Sequence, residues 1–310
     1  MPTKKSVSVS AFARLHLGII DMSKRRRYGA IGVYLNKPQI RVLARFSYNF
    51  EVSGCTESAE YLDYIRKVAE NVFQHFGLKE RVNLQVEEIF PLHVGLGGRT
   101  QCGLAVANAI LSLYELKADL FDISEMLGIG KYTAVGVHAF RHGGFIIETG
   151  CVGGKHTALH LNFPEEWSFV VGIPEGRGLG EAEEKVHMES IACEEKLCRE
   201  ICENVLLEMV PGILAKDIER FGRGLNEVQR IVGMCFSEIQ GGIFSKVSAH
   251  AIQQLREAGA YGVGQSSWGP TVYGLFKKED AESVATRLKT MGEKAKWFAA
   301  SVRNRGAVVE

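Results

Sequence analysis

The sequence lacks long apolar runs, a secretion signal and an excess of charge of one sign. No stretch approaches the roughly 18 consecutive apolar residues of a membrane-spanning helix, so we expect no membrane span. The first residues contain two lysines but neither an unbroken apolar segment nor a small-residue cleavage site, which argues against a signal peptide and predicts a cytoplasmic protein. Lysine and arginine total 37 against 36 acidic residues, so composition gives no general attraction to nucleic acid or to a membrane.

Cysteine is scarce and irregularly spaced. The seven cysteines form no C-x-x-C pair, and without an export signal the simplest prediction is free thiols in a reducing cytoplasm. Cys198 and Cys202 stand one helical turn apart, but no third and fourth ligand follow at the spacing of a zinc site. The seven are Cys55, Cys102, Cys151, Cys193, Cys198, Cys202 and Cys235.

The length of the chain favours two domains. A chain of 310 residues, 46% apolar and 24% charged, is an ordinary globular sequence that is long for one compact core. Its character changes around Asn162-Phe163-Pro164, where a strand-and-helix pattern gives way to a mostly helical stretch over 181–257. We therefore predict an α/β (α+β) protein with domains over 1–163 and 164–310.

Local patterns place the secondary structure. Alternation predicts a strand in SVSVSAFARLHL and two more in GAIGVYL and QIRVLARFSY, and the turn residues Asn36-Lys37-Pro38 between these two indicate an antiparallel hairpin. Helical spacing predicts a helix over 58–76, with Gly77 as its cap. A further strand is expected in VNLQVEEIF, a helix in RTQCGLAVANAILSLYEL and another helix over about 279–292.

The segment PLHVGLGGRTQCGLAVANAI (91–110) carries the strongest chemical signal. Glycines let a backbone approach a ligand closely and turn successive N–H groups towards an anion, and the helix that follows adds its unpaired N–H groups. Arg99 and Thr100 open that helix and are also placed to reach the anion. The alternative is a tight strand–helix turn whose glycines serve packing alone.

Standard nucleotide motifs fail. Residues 150–156 have the wrong spacing for a P-loop and end in histidine, and GVGQSS (262–267) lacks the third glycine of the dinucleotide fingerprint. GVGQSSWGPTVYG nevertheless offers a second backbone-rich loop, with the hydroxyls of Ser266 and Ser267 and the ring of Trp268. An ordinary hairpin is the other interpretation.

Histidine pairs and a basic cluster remain ambiguous. His138–His142 and His156–His160 have a spacing seen in zinc sites, but no glutamate lies between them as in the protease motif, so ordinary surface or core histidines are favoured. Lys24-Arg25-Arg26-Arg27 is interpreted as either a solvated loop or a lid over a phosphorylated substrate.

Three segments together resemble the GHMP family of two-domain small-molecule enzymes. They are PLHVGLGGRTQCGLAVANA, the glycine stretch 128–136 and GVGQSSWGPTVYGL, and their order covers nearly the whole chain. The resemblance implies an N-terminal α/β domain, a C-terminal ferredoxin-like domain and an active site in the cleft between them.

Within that family the pattern is most similar to one branch, the β-ribofuranosylaminobenzene 5'-phosphate synthases of methanopterin biosynthesis. ARLHLGIIDM, HVGLGGRTQ and AFRHGGFIIETG resemble that branch's motifs. The resemblance implies transfer of a phosphoribosyl group from phosphoribosyl pyrophosphate to the ring carbon of 4-aminobenzoate or 4-hydroxybenzoate. Carbon dioxide and pyrophosphate leave, Mg²⁺ assists, and the enzyme is a homodimer.

The sequence also departs from the patterns it resembles. Many GHMP kinases carry an aspartate in a middle S-G-x-D motif, where this chain has Thr133-Ala134-Val135-Gly136. Gly98-Arg99 replaces the branch's Ser-Gly, and GIGKYTAVG lacks two arginines, one of which Lys131 could replace.

The resemblance and the motif chemistry together give a predicted site. We assign the loop and helix start to the pyrophosphate, and Arg14 to an anionic substrate group, either the benzoate carboxylate or the sugar phosphate. His16 and His93 are assigned to the reacting centre, and Asp21 to the metal. A purely structural His93 is the alternative. The substrate- and phosphate-binding set is Gly95, Leu96, Gly97, Gly98, Arg99, Thr100, Gln101, Lys131, Ser266 and Ser267.

Two other functions stay open at this stage. One is an ATP-dependent GHMP kinase acting on a small alcohol. The other is a non-catalytic paralogue that senses a phosphosugar, which the missing arginines would favour.

Overall fold

A computed structural model describes residues 5–25, 28–55, 58–153, 155–291 and 294–310. Its strands fall into two sheets, and its helices lie between and around them. The strands are β1 (Ser6–Asp21), β2 (Tyr28–Phe46), β3 (Glu51–Gly54), β4 (Val82–Glu88), β5 (Phe145–Val152), β6 (Lys155–Leu161), β7 (Trp167–Pro174), β8 (Gly262–Gln265), β9 (Val272–Lys277), β10 (Ala295–Ser301) and β11 (Val308–Val309). The helices are α1 (Ala59–Phe76), α2 (Gly98–Leu113), α3 (Leu120–Met126), α4 (Val135–His142), α5 (Glu181–Ser190), α6 (Glu195–Glu203), α7 (Val210–Ala215), α8 (Ile218–Gln240), α9 (Lys246–Glu257) and α10 (Lys278–Thr290), with a π-helical turn over Asn204–Met209 between α6 and α7.

The first sheet is built on two long antiparallel strands. β1 and β2 pair over almost their whole length, and β2 also pairs with β4 and β5. The predicted hairpin at Asn36-Lys37-Pro38 is wrong, because β2 continues through these residues as one strand. The pairing with β1 is interrupted there by a register shift between Phe12 and Arg14. Proline has no N–H to give to a ladder, so it is tolerated in a strand where pairing is broken.

The second sheet has the ferredoxin-like arrangement implied by the family resemblance. Its strand order is β10-β7-β9-β8, all antiparallel, with helices between β7 and β8 and between β9 and β10. If β7 to β10 are numbered 1 to 4 along the chain, their order across the sheet is 4-1-3-2. This is the arrangement of the βαββαβ pattern.

One cluster of the hydrophobic core spans both sheets. A continuous cluster of buried side chains includes Val9 and Leu15 of β1 together with Phe169 of β7 and Phe221 of α8. The chain end returns to the first sheet, where β11 pairs with β1. The boundary near residue 163 stays a prediction.

Helix α2 is central, and its sequence explains why. After its first turn its residues are mostly apolar, with Asn108 and Ser112 as the exceptions, and most are buried, including Leu104, Val106 and Ile110. A helix that is apolar on all faces is stable only when protein surrounds it. Because α2 is held on every side, its N-terminus at Gly98 is fixed in position.

The cysteines do not all remain free thiols. Cys193 and Cys235 form a disulfide, so that prediction is wrong for this pair. The two are separated by 42 residues and brought together by the packing of the segment after α5 against α8, which the spacing of cysteines along a sequence does not reveal. Cys55, Cys102, Cys151, Cys198 and Cys202 are free.

Within the described parts of the chain, every helix is too short or too polar to span a bilayer. The basic cluster of residues 24–27 falls partly outside the described residues, because Arg26 and Arg27 are not among them.

Candidate active site

A cavity of about 670 Å³, counted out to its mouth, lies where the two sheets meet. Its walls come from β1, the segment before α4, helices α5 and α8, and the loop after β8. The lining residues are Arg14, His16, Gly18, Ile19, Tyr132, Thr133, Glu184, Met188, Gln229, Val232, Gly233, Phe236, Gln240, Ile243, Phe244, Gln265, Ser267 and Trp268.

The glycine loop before α2 is pressed between β1 and the loop after β8. Gly95 and Gly97 have φ of 87° and 77°, a left-handed conformation that favours glycine. A Cβ atom at Gly95 would clash with the Ser266 carbonyl oxygen, and one at Gly97 would lie 2.9 Å from Cγ of Arg14. The glycines are therefore required by close approach as well as by backbone conformation.

The loop keeps its backbone donors available. Five backbone N–H groups make no hydrogen bond to any described residue: those of Gly95, Leu96, Gly97, Gly98 and Thr100. The Gly97 carbonyl, by contrast, accepts a hydrogen bond from the backbone N–H of Gln101 at 3.0 Å. Gly95, Gly97 and Thr100 are partly exposed. This is the geometry of an anion site at a helix N-terminus.

Arg14 joins this loop to the cavity. Its backbone N–H donates to the Leu96 carbonyl at 3.0 Å, and its Nη1 donates to the Gly95 carbonyl at 3.0 Å. Its Nε is buried and has no hydrogen-bond partner among the described residues. Burial lowers the pKa of Arg14 to about 10, and the Glu184 carboxylate acts in the opposite direction. The guanidinium is thus a partly buried, incompletely paired cation on the cavity wall, and a bound anion would complete its pairing.

His16 is a neutral group on the same wall. Burial lowers the pKa of His16 to about 3, and the charge of Arg14 acts in the same direction. At neutral pH the imidazole therefore adds no charge, but it can still donate or accept a hydrogen bond.

Ser266 and Ser267 have different environments. Ser266 is fully buried, and its hydroxyl accepts from the His16 amide at 2.9 Å and donates to the Gly95 carbonyl at 2.6 Å. It therefore ties β1 to the glycine loop. Ser267, with φ of 56°, lines the cavity.

Two predicted residues at the start of α2 make contacts of their own. The side chain of Gln101 is buried. Its Nε2 donates to the Gly136 carbonyl at 2.9 Å and its Oε1 accepts from the Tyr34 hydroxyl at 3.1 Å, which connects α2 to α4 and β2. The Arg99 guanidinium lies 4.8 Å from the centre of the Tyr64 ring.

The structure places His93, Lys131 and Asp21 outside the lining of this cavity. His93 Nε2 lies 3.0 Å from Oε1 of Glu60, with the His93 side chain 11% exposed, and Lys131 lines a separate opening. Asp21 faces a third cavity and accepts from the Ser23 amide at 2.9 Å. The roles predicted for these three residues stay predictions.

The carboxylate that does line the cavity is Glu184, which sequence reasoning missed. It belongs to α5, and its Oε1 lies 3.3 Å from Trp268 Nε1. The described residues hold no group of three or more histidine, cysteine, aspartate or glutamate side chains able to bind a metal. Mg²⁺ is commonly held by one or two carboxylates together with substrate phosphates, so one carboxylate beside a predicted phosphate site fits that ion. Nothing in the spacing of α5 marks Glu184 in advance.

The position of the kinase aspartate is closed. A Cβ atom at Gly136 would lie 2.9 Å from Cγ2 of Thr100, so the helices pack too closely there for a larger side chain without a shift. The N-terminus of α4 is capped by Glu148 of β5, which accepts from the Ala134 amide at 2.8 Å and lies 2.6 Å from His156 Nδ1.

Curated relatives match nearly the full length of the chain. The beta-ribofuranosylphenol 5'-phosphate synthase of Methanothermobacter thermautotrophicus is 29% identical, over 95% of this chain and 96% of its own. The protein of the same name from Archaeoglobus fulgidus is 28% identical, over 96% of this chain and 97% of its own.

Solved structures show the same fold. The crystal structure of homoserine kinase from Cytophaga hutchinsonii superposes with a TM-score of 0.75 at 18% identity, covering 100% of this chain and 99% of that one. Two sequence profiles also match, GHMP kinases N terminal domain over residues 63–144 and GHMP kinases C terminal over residues 209–294. Together the profiles span more than half of the chain and contain both the glycine loop and the second sheet's glycine-rich turn, and on this evidence the chain belongs to the GHMP family.

Proposed function

We propose that this protein transfers a phosphoribosyl group from phosphoribosyl pyrophosphate to the ring of 4-hydroxybenzoate, releasing carbon dioxide and pyrophosphate, in methanopterin biosynthesis. The proposal is supported by the full-length relatives named beta-ribofuranosylphenol 5'-phosphate synthase. A phenol product requires an acceptor with a para hydroxyl group, so of the two benzoates implied by the family resemblance we favour 4-hydroxybenzoate over 4-aminobenzoate.

The observation that carries the proposal is that the backbone N–H groups of Gly95–Gly98 and Thr100 have no hydrogen-bond partner among the described residues. They lie beside Arg14, whose Nε also has none. Each hydrogen bond to a charged group contributes about 1.5–3 kcal/mol, more than the roughly 0.3–1 kcal/mol of a helix dipole at an exposed site. Several such bonds would hold a diphosphate and stabilise the charge it gains as it leaves.

The reaction balances without a proton leaving the ring. The bond from C1 of the ribose to the diphosphate oxygen breaks, and its electron pair leaves with the diphosphate. The ring carbon that bears the carboxylate supplies the pair for the new carbon–carbon bond, and the pair of the bond to the carboxyl carbon returns to the ring as carbon dioxide departs. The protein's main tasks are therefore to hold the leaving group and to align the two reactants.

We further propose that Mg²⁺ accompanies the diphosphate and that Glu184 helps to hold it. Glu184 shares a cavity with Arg14, whereas Asp21 faces another. The ion would neutralise part of the diphosphate charge. His16 remains the candidate polar group beside the reacting atoms.

The kinase alternative draws less support. The close packing of Gly136 against Thr100 leaves no room for the carboxylate of the kinase motif without a shift. Similarity to solved kinases at 18% identity concerns the fold alone.

Donor and acceptor assays test the proposal. Purified protein should release pyrophosphate, and labelled carbon dioxide from carboxyl-labelled 4-hydroxybenzoate, when given phosphoribosyl pyrophosphate and Mg²⁺, and EDTA should stop both. Production of ADP from ATP and a small alcohol would instead support a kinase. Tight binding of the sugar donor with no turnover of either benzoate would support a non-catalytic sensor.

Two expectations complete the proposal. We expect a homodimer, checked by light scattering during gel filtration, and a cytoplasmic location, checked by cell fractionation.

A further inference from the structure

One of the chain's three tryptophans lies in the cavity. Trp167 and Trp297 are 3% and 2% exposed and belong to the core, whereas Trp268 is partly exposed and lines the cavity next to Ser267. Trp268 belongs to the turn between β8 and β9. A large apolar ring left partly uncovered on a cavity wall is available to a ligand.

The indole of Trp268 is fixed from several sides. Its Nε1 lies 3.3 Å from Oε1 of Glu184, which leaves the ring orientation little freedom. The Phe236 ring packs against it edge-on at 4.6 Å between centroids, and the His187 ring lies 5.8 Å away. An aromatic wall that is already ordered loses little conformational freedom when a ligand binds.

The nearby side-chain amides are already engaged by the protein. The Gln229 side chain donates to the Leu17 carbonyl at 2.7 Å and accepts from the backbone N–H of Gln265 at 2.8 Å. The Gln265 side chain donates to Gln240 at 3.2 Å and accepts from the Ser245 amide at 2.9 Å. These glutamines stiffen the cavity, and much of the remaining wall is apolar, from Ile19, Met188, Val232, Ile243 and Phe244.

The cavity therefore joins a rigid aromatic and aliphatic wall to the partly buried cation of Arg14. We propose that it is the subsite for the aromatic acid, whose ring lies against Trp268 and Phe236 and whose carboxylate faces Arg14. This inference rests on the proposed function for the identity of the acceptor. The orientation agrees with the chemistry, because the ring carbon that bears the carboxylate must face the sugar donor at the glycine loop.

Trp268 is then a specificity-determining residue for the acceptor and makes no direct contact with the donor, although its indole Nε1 lies beside Glu184. Trp268→Leu should raise the KM for 4-hydroxybenzoate about two- to tenfold, the effect of losing an aromatic contact. The Kd for phosphoribosyl pyrophosphate, measured without Mg²⁺ so that the proposed metal contact of Glu184 does not enter the comparison, should stay within about twofold. Trp268→Phe keeps a ring and should fall between the wild type and Trp268→Leu.

A matched pair of ligands tests the ring contact directly. Benzoate and cyclohexanecarboxylate carry the same charge on rings of similar size, but only benzoate has an aromatic face. Calorimetry should show that the wild type prefers benzoate and that Trp268→Leu loses this preference. Donor affinity and the melting curve report whether each variant is folded.

The outcomes separate this inference from the proposed function. Turnover with an unchanged acceptor KM in Trp268→Leu would overturn the subsite and leave the function standing. Binding of 4-hydroxybenzoate to the wild type but not to Trp268→Leu, with no turnover in either, would support the subsite and overturn the function. If the wild type bound benzoate and cyclohexanecarboxylate with equal affinity, the proposed aromatic contact would be overturned.

Discussion

Arg14 is the residue in which the fold and the proposed chemistry meet. It holds the glycine loop through its hydrogen bond to the Gly95 carbonyl, yet its Nε has no partner among the described residues and burial lowers its pKa to about 10. The protein places a cation on the cavity wall with only the partial compensation of Glu184. This arrangement is costly unless an anion binds there.

Arg14→Gln should weaken the binding of both the donor and the aromatic acid, because the cation that it removes lies between the glycine loop and the cavity. The expected rise in the Kd for phosphoribosyl pyrophosphate is about 10- to 150-fold, the equivalent of one charged hydrogen bond. Isothermal titration calorimetry measures it. Arg66→Gln, which removes an exposed arginine paired with Asp63 at 3.3 Å, is the matched control and should bind donor normally. Equal affinities in the two variants would remove Arg14 from the site.

His138 should make the protein sensitive to acid. Both of its ring nitrogens are buried without hydrogen-bond partners among the described residues, and its ring lies 5.2 Å from that of His160. Burial, followed by the neighbouring His160, lowers the pKa of His138 to about 3. Between about pH 3 and 6.5 the unfolded chain binds a proton there that the folded protein does not, so stability falls as pH falls through this window.

His138→Leu should flatten that dependence. The slope of the free energy of unfolding against pH should decrease by up to about 1.4 kcal/mol per pH unit in this window. Urea unfolding of wild type and variant at pH 5 and pH 7 gives the comparison, and the pH 7 values separate any change in packing. An unchanged slope would show that His138 does not titrate in this way.

At the scale of elements, the loop before α2 depends on glycine for two separate reasons. Gly97 needs a positive φ, and a Cβ atom there would press on Arg14. Gly77, which ends α1 at φ of 62°, shares the first requirement, but a Cβ atom there would meet nothing within 4 Å.

These two glycines make a matched pair. Gly97→Ala and Gly77→Ala should each lose about 1–2 kcal/mol of stability through backbone strain. Gly97→Ala alone should weaken donor binding, since it displaces Arg14 and the amides around it. Thermal melts and donor titrations of both variants check this, and normal donor binding by Gly97→Ala would contradict the proposed cradle.

The disulfide joins two walls of the cavity. Cys193 follows α5, which contributes Glu184 and Met188, and Cys235 lies on α8, which contributes Phe236. A crosslink over a separation of 42 residues stabilises a fold by about 2–4 kcal/mol.

Cys235→Ser should therefore lower the melting temperature, and a reducing agent should lower that of the wild type but not that of the variant. Cys202→Ser changes a partly exposed free thiol and should melt like the wild type. Alkylation followed by mass spectrometry, with and without reduction, counts the thiols. Equal counts in the two samples would show that no disulfide forms.

At the scale of the whole molecule, the two sheets meet at the proposed donor site. The amide of Thr271 donates to the Val94 carbonyl at 3.2 Å, and that of Gly178 donates to the His93 carbonyl at 2.7 Å. Backbone hydrogen bonds from the later part of the chain thus hold the glycine loop in place, so a ligand on the loop should stabilise both parts.

Phosphoribosyl pyrophosphate should raise the melting temperature of the whole chain in one transition. At a concentration of about 100 times Kd the expected stabilisation is about 2.7 kcal/mol. Ribose 5-phosphate, which lacks the diphosphate, is the control and should give a smaller shift. Two separate transitions, of which the donor moves only one, would contradict the coupling.

The sequence by itself determined the elements and the loop. Alternation in β1, helical spacing in α1 and the glycines at 95–98 are local patterns, and each corresponds to an observed strand, helix or turn because periodicity and backbone freedom act over a few residues. The turn predicted from Pro38 is absent. The pairing between β2 and β1 is interrupted at this point, so a proline, which elsewhere often marks a turn, is tolerated within the strand.

Only the tertiary structure decided which side chains share the cavity. Ser266 lies 171 residues from the Gly95 carbonyl that it contacts, and Glu184 lies 84 residues from Trp268. Contacts over such separations arise from how the two sheets pack, which no local pattern encodes. For that reason the sequence located the glycine loop, whereas the fold was needed to place Glu184 and Trp268 beside Arg14, and to place Asp21 in another cavity.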